Sequence, residues 1–353
     1  MSFAIKKLDH LENEDFLKAF CEFPFKVRQK EYLTGLVSPE TTLRLLQWGH
    51  HHGSAFWLLS SGEVPVMRLS ARVCPHLQNT GTIGFFEIDE KYSDFKNCFE
   101  LGLKVALDWL QSQGVKEVIA PIDLNTWFNY RFSDEGKDFF PRFSWEPTTP
   151  PSYKNLFSKA GFVDYAYFHT IVFPHFRIGH FCLGTGPMKK AYKRLHDKGF
   201  RLRPFNKEEF AEKELPLFYD ISQEAFKDSL LFEPIDFTTF KGLYSEAMVK
   251  YDFSPSTVLL SPEGEDVGFI FAFFDGDYLI IKSIAIRDKY QGLRISSGMI
   301  YNAAKQAFAR NKKGTVSALV RTGLASEKIE GSVKKTMWFT KKHEYSLLKK
   351  DLK

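Results

Sequence analysis

The sequence predicts an α/β (α+β) protein built as two tandem copies of one fold, each a mixed, mostly antiparallel sheet flanked by helices. Three observations lead there. The chain has 353 residues, about twice the roughly 150 of an ordinary domain. The order of apolar patterns in the first half recurs in the second. Shifting the chain by 198 places lays I-D-E-K-Y at 88–92 on I-R-D-K-Y at 286–290, and a repeat of both residues and element order reads as an internal duplication.

Composition bounds the class. Apolar residues make up 44% and charged residues 26%, and Phe alone supplies 36 positions. That is ample material for a core and excludes an intrinsically disordered chain, which has few aromatics and high net charge. Cys21, Cys74, Cys98 and Cys182 show no C-x-x-C spacing, so neither a disulfide framework nor a zinc site is expected, and no metal is called for. The first twenty residues mix both charges and lack an apolar stretch, so no signal peptide is expected. The most apolar run, Val267 to Ile286, is interrupted by Asp275, Asp277 and Lys282, too polar for a membrane span. A cytoplasmic location and no membrane partner follow as expectations.

In the first copy, 10–30 and 39–48 have helical patterns. Ala55–Ser60, Val64–Val73 and Thr82–Ile88 read as an antiparallel meander, parted by the turn signals Ser61-Gly62 and Asn79-Thr80-Gly81. From Asp94 to Gln113, Phe95, Cys98, Phe99, Gly102, Val105, Ala106, Trp109 and Leu110 recur at helical spacing, and Gly114 supplies the stop. A strand at Val118–Ile122, a loop through Pro147–Pro151, a helix at Tyr153–Ala160 and a strand at Tyr165–Phe173 follow.

The second copy repeats the order. Phe200–Phe205 is a strand, and 207–227 and 236–251 are helices. Thr257–Leu260, Val267–Phe274 and Tyr278–Ile286 form the meander, with turns at Glu263-Gly264 and Asp275-Gly276. A helix from Ser297 to Arg310 and a strand at Thr315–Val320 come next, then Lys335–Phe339 and His343–Lys349 as strands around a turn at Lys341-Lys342. The expected division is 1–175 for the first domain, 176–198 for a linker with a basic helix, and 199–353 for the second.

Two segments carry chemistry. Residues 284–298 read I-A-I-R-D-K-Y-Q-G-L-R-I-S-S-G, and residues 153–162 read Y-K-N-L-F-S-K-A-G-F. A strand running straight into a helix leaves the first helical amides without partners, and those amides with the positive dipole end suit a pyrophosphate. Lys289 and Arg294 add positive charge there, and Ser296 or Ser297 offers a cap or a phosphate donor. The matching first-copy segment, F-E-I-D-E-K-Y-S-D-F, has no glycine and carries Glu87, Asp89, Glu90 and Asp94, which would repel a pyrophosphate.

These residues, with the element order, resemble the GNAT acyltransferase superfamily over nearly the whole chain, as two tandem copies with a degenerate first one. The first segment is similar to the family's fourth strand and acyl-CoA pyrophosphate loop, Q/R-x-x-G-x-G/A; the second is similar to its Y-x-x-L-x-x-x-G-F helix–turn. The resemblance implies that the backbone of Ile284, Ala285 and Ile286 pairs with the pantetheine arm. It implies that the amides of Gln291, Gly292, Leu293, Arg294, Ile295, Ser296 and Ser297 hold the pyrophosphate, and that Thr315–Val320 splays away to admit the thioester. The co-substrate would be acetyl-CoA or another acyl-CoA, the acceptor a small-molecule or peptide amine attacking the thioester directly. Arg294 stands where the family has its central glycine, and Ser296 where it has Gly or Ala; no tyrosine occupies the leaving-group position of the second copy, and no catalytic base is named. The rival readings are an aminoacyl-tRNA-dependent transferase similar to the Fem family and a non-catalytic acyltransferase-like binding module.

The remaining features take plainer readings. His50, His51 and His52 read as a polar loop, because no acidic or Cys partner stands at ligand spacing. Glu87 is read as solvated or core-paired in preference to a catalytic base. Trp127, Phe128, Tyr130, Phe132, Phe139, Phe140, Phe143 and Trp145 either line an acceptor pocket or pack the protein. The net charge of +5 divides into −3 for residues 1–176 and +8 for 177–353. Much of that surplus lies in the terminal lysines, read as solvent-facing positions of strands, so a nucleic-acid partner is expected only under the tRNA rival.

Overall fold

The computed structural model describes residues 3–134, 142–174, 178–292, 294–323 and 341–352. In chain order the elements are β1 (Ala4–Lys7), α1 (Glu14–Val27), α2 (Pro39–His51), β2 (Ala55–Ser61), β3 (Val64–Val73), β4 (Thr80–Ile88), α3 (Phe95–Ser112), β5 (Glu117–Ala120), β6 (Phe132–Ser133), α4 (Pro151–Lys159) and β7 (Val163–Pro174). The second series is α5 (Ile178–Asp197), β8 (Arg201–Pro204), α6 (Leu215–Ala225), α7 (Phe237–Lys250), β9 (Thr257–Leu260), β10 (Asp266–Asp275), β11 (Tyr278–Ile286), α8 (Ile295–Ala309), β12 (Gly314–Arg321) and β13 (Lys341–Asp351). The fold class is α/β with mostly antiparallel pairing, as the patterns predict; β4–β5 and β11–β12 are the parallel pairs.

The chain divides into two compact units that are not consecutive in sequence. Unit 1 takes Met1–Lys137, Ser144–Tyr167 and Glu344–Lys353; unit 2 takes Asp138–Phe143 and Phe168–His343. The terminal strand therefore serves the first copy: β13 pairs with β5, Leu348 opposite Ala120 and Asp351 opposite Glu117. Its apolar residues Tyr345, Leu347 and Leu348 are buried, and Lys349 reaches Glu117 at 2.9 Å. Conversely, the end of β7 pairs with β12 in unit 2, Pro174 opposite Gly314. The segment 176–198, expected as a linker with a basic helix, holds α5, which belongs to unit 2. Leu195 and Ala191 are buried there, and a Cβ on Gly298 of α8 would lie 3.1 Å from the Tyr192 Cα. Lys341-Lys342, expected as a turn, opens β13; the expected strand Lys335–Phe339 lies outside the described residues.

Within unit 1 the strand order is β1-β2-β3-β4-β5-β13, with β6 on β13. The apolar stripe of α3 covers the meander: Cys98, Phe99, Leu103, Ala106 and Leu110 are buried. Phe86, Phe99 and Phe157 meet edge-on, with centroids 5.0–5.6 Å apart, and each such pair adds roughly 0.5–1.5 kcal/mol to what burial alone provides. Within unit 2 the order is β7-β12-β11-β10-β9-β8. Here α8 presents Met299, Ala303 and Ala307 to the strands, and the two alanines let helix and sheet come close. The Asp275-Gly276 turn links β10 to β11, and Gly276 sits at φ +53°, a conformation that costs glycine little.

Both meanders carry a β-bulge at the same place. In β11 the extra residue is Lys282, since Phe271 faces Ser283 while Ala272 faces Ile281. In β4 it falls at Phe85–Phe86, since Arg68 faces Glu87 while Ser70 faces Gly84. A bulge bends its strand and raises the local twist, so each copy aims the end of its fourth strand away from the strand beside it.

Candidate functional site

The divergence is plain in unit 2. β11 and β12 pair from Tyr278–Gly314 to Ile281–Ser317 and no further. Beyond the Lys282 bulge, Ser283, Ile284, Ala285 and Ile286 remain paired with β10 on one edge. No strand pairs with their opposite edge among the described residues. An unpaired strand edge is a template for an extended, hydrogen-bonding partner.

The loop that follows turns this edge into a helix N-terminus. Asp288–Tyr290 forms a single 3-10 turn, Gly292 sits at φ +79°, and Arg294 at φ +57° is the residue before α8. The glycine-like bend expected at Arg294 is therefore adopted by an arginine, at roughly 1–2 kcal/mol for its Cβ. Arg294 is exposed. Neither serine caps the helix: α8 begins at Ile295, two residues earlier than the patterns predict, so Ser296 and Ser297 lie inside its first turn. That turn holds no acidic residue. Gln291 faces backward instead, its side-chain amide donating to the Ile286 carbonyl at 3.1 Å and to Asp288 at 2.9 Å. Arg287 is held from α6 by Glu224 (2.6 Å) and Asp220, which anchors the end of β11. Leu293 lies outside the described residues. The structure thus brings Ile284, Ala285, Ile286, Gln291, Gly292, Arg294, Ile295, Ser296 and Ser297 to one strand–loop–helix junction.

The first copy uses the same place differently. Ile122 continues the β4–β5 pairing by donating to the Ile83 carbonyl at 2.8 Å, and the Asp123 carboxylate accepts from the Phe85 amide at 2.5 Å. A Cβ on Gly84 would sit 2.0 Å from the Ile122 carbonyl oxygen, so 122–123 lies directly on the strand edge. Further along, the Tyr153 hydroxyl reaches both the amide and the carbonyl of Ile88 at 3.3 Å. The slot is closed by the protein's own groups. Asp89 and Asp94 are engaged locally, with the Lys91 amide and the Asn97 side chain.

Glu87 does not face the junction with these acids. It is buried and core-paired: the Arg28 guanidinium donates to both its oxygens, at 2.8 and 2.5 Å, and the Tyr153 hydroxyl donates at 3.0 Å. Burial works against the Arg28 charge, but the Glu87 carboxylate more than offsets it, and the Arg28 pKa is raised. Burial and the Glu87 charge push Tyr153 well above its usual value. Arg68, Asp123 and Arg131 surround this triad, lining one cavity with Glu87 and Tyr153. Nothing in the sequence singles out Arg28, Arg68 or Asp123; Tyr153 and Glu87 were visible through the helix–turn motif and the repeat.

Other sequence features resolve as packing. His50 and His51 end α2 and are not in a loop, and His52 stacks on Trp48 at 4.0 Å. Among the described residues no group of three His, Cys, Asp or Glu side chains is placed to hold a metal, and no helix is long and apolar enough to cross a membrane. Phe128 packs on Trp48 and Phe132 on Phe157 within unit 1; Phe139 and Phe140 lie outside the described residues. Cys21 and Cys98 are free and buried, their thiols pushed up to about 11 and about 12 by desolvation.

No family model matches the chain, and no curated protein matches it. Solved structures do. A tandem GNAT protein from the clavulanic acid biosynthesis pathway aligns over 99% of this chain and 98% of its own, with 8% identity and a TM-score of 0.55. A conserved protein of unknown function from Enterococcus faecalis V583 aligns over 99% of this chain and 72% of its own, with 10% identity and a TM-score of 0.60. The GCN5-related glucosamine N-acetyltransferase region of a fungal multi-domain GH3 β-N-acetylglucosaminidase aligns over 99% of this chain, with 12% identity and a TM-score of 0.52; this chain spans 38% of that one. Identities this low speak to the fold, and on that level the bulged fourth strands, the two strand–helix junctions and these alignments agree: the chain has a tandem GNAT-like fold.

Proposed function

We propose that this chain is an acyl-CoA-dependent N-acyltransferase that takes acetyl-CoA and transfers its acyl group to the amine of a small molecule or peptide. Acyl-CoA supplies the activated thioester, and the amine attacks it directly. The protein's part is to hold and orient. Ile284–Ile286 offers the strand edge for an extended pantetheine arm, and Gly292 and Arg294–Ser297 present the amides ahead of α8 to a pyrophosphate. Lys289 and Arg294 add charge at the rim. The fit is supported by the left-handed backbone of Arg294, which takes the bend a glycine takes at that position.

The observation that carries the reading is the contrast between copies. In unit 2 the fourth-strand edge beyond the bulge is unpaired among the described residues and leads into a helix turn without acids. In unit 1 Asp123 and Tyr153 close that edge. Calorimetric titration with acetyl-CoA tests it: saturable binding is expected, with a loss of roughly tenfold or more in Gln291→Glu or Ser296→Asp, where a carboxylate meets the phosphates. Absence of binding to the intact chain would overturn the proposal. Thiol release with a panel of amines then reads out turnover.

A further inference from the structure

Unit 1's closed slot holds a charge that the slot does not use. Arg68, on β3, is 4% exposed. Its guanidinium donates to the Phe20 carbonyl at 2.6 Å and stacks on the Phe20 and Phe85 rings at 4.8 and 5.7 Å. Its Nε is buried without an acceptor, and no carboxylate pairs with it among the described residues. The nearby acids are spent elsewhere: Glu87 takes Arg28 on both oxygens and the Tyr153 hydroxyl, and Asp123 takes the Phe85 amide. Arg131 lies over the Tyr130 ring at 3.7 Å and donates to its hydroxyl. The charges of Glu87 and Asp123 reach Arg68 without an ion-pair contact, and a buried guanidinium with no anion in contact is costly.

We propose that unit 1 carries a binding site for a short monocarboxylate, with the Arg68 guanidinium as its anion-binding group. Arg68 lines a cavity of about 40 Å³ together with Glu87, Asp123, Arg131, Phe85 and Tyr153. One water needs roughly 10–15 Å³ on this measure, so the cavity takes about three or four heavy atoms, the size of formate or acetate. Glu87 and Asp123 also line the space and would repel a dianion such as phosphate more strongly than a monoanion. A planar carboxylate matches the planar edge of a guanidinium, and Phe85 and Phe86 provide an apolar wall for a methyl group. This site lies wholly within unit 1 and is independent of the acyl-CoA reading.

The test uses the full chain, titrated near pH 6 with sodium formate and sodium acetate against sodium chloride and sodium phosphate at equal ionic strength, followed by calorimetry and thermal melting. Saturable binding of the carboxylates, with a rise in melting temperature that chloride and phosphate do not reproduce, is expected. Arg68→Lys, which keeps the charge but loses the two-donor edge, is expected to weaken binding by roughly tenfold or more. Asp123→Asn removes a like charge beside the site and is expected to tighten binding severalfold above pH 7, and it carries the test if the Arg68 variant does not fold. The proposal is overturned if acetate up to about 0.1 M acts no differently from chloride, which would leave water as the partner of Arg68. It is equally overturned if Arg68→Lys folds and binds like the parent, or if Asp123→Asn leaves the affinity unchanged.

Discussion

Asp123 is the clearest place to perturb unit 1. Desolvation, countered in part by the Phe85 amide and the Arg68 charge, raises its carboxyl pKa from 3.8 to about 6. A raised carboxyl pKa means the folded state holds the proton more tightly than the unfolded chain does. The associated stability is complete below the unfolded pKa near 4 and is lost as pH rises through about 6. The difference between the two states corresponds to roughly 3 kcal/mol. Asp123→Asn keeps the oxygen that accepts from Phe85 and removes the charge. The variant is expected to be more stable than the parent by up to about 3 kcal/mol at pH 8, and about equal to it below pH 4. At roughly 2–4 °C per kcal/mol for a unit of this size, the gain at pH 8 is about 6–12 °C. Thermal melting by circular dichroism across pH 4–8 measures it. A variant that is less stable at pH 8, or whose offset does not change with pH, refutes the assignment of Asp123 as a carboxyl whose charge the fold disfavours.

Three further outcomes follow from the same geometry. Glu87→Gln leaves Arg28 buried without its bidentate partner, and chemical denaturation of unit 1 should show a loss of about 3–5 kcal/mol, whereas a loss below about 1 kcal/mol would mean that Arg28 finds another acceptor. Arg294→Gly relieves the left-handed Cβ contact at the cost of added unfolded-state entropy, so urea titration should find unit 2 unchanged or more stable by at most about 1 kcal/mol. Gly298→Val puts a branched side chain where a single Cβ already meets the Tyr192 backbone at 3.1 Å; forcing α5 off α8 should cost about 1–3 kcal/mol, visible as a lowered melting temperature.

The legible parts of this protein are those written in local pattern. The α3 stripe and the meander strands follow from spacing, so β3, β10 and β11 fall within a residue of where alternation and turn signals place them. α5 was legible only as a basic helix within a linker because Gly179, Gly184, Gly186 and Pro187 read as linker composition, and its packing rests on the close approach of Tyr192 to Gly298 of α8. β13 was legible as a strand but not as a member of unit 1, since its partner Val118–Ala120 lies more than two hundred residues upstream. β1 and the Arg28–Glu87 pair escaped for the same reason: a four-residue strand and two lone charges acquire meaning from a long-range contact.

The two junctions show how far local and long-range information diverge within one duplication. Reading 87–94 against 285–292 singles out the acidic copy as unfit for a pyrophosphate, which is a statement about charge near a helix end. The structure replaces that explanation for Glu87, the first of those acids: it faces inward to Arg28. The slot of unit 1 is shut by Asp123 and Tyr153, residues outside the loop altogether. A first copy that had merely decayed would be expected to fill its slot with apolar side chains, since replacing buried ion pairs by well-packed hydrophobics is often neutral or stabilising. Unit 1 instead keeps Arg28, Arg68, Arg131, Glu87 and Asp123 around a small cavity, at a desolvation cost of several kcal/mol per buried ion. That cost is hard to reconcile with a purely supporting role, and it makes unit 1 a place to look for a ligand in its own right.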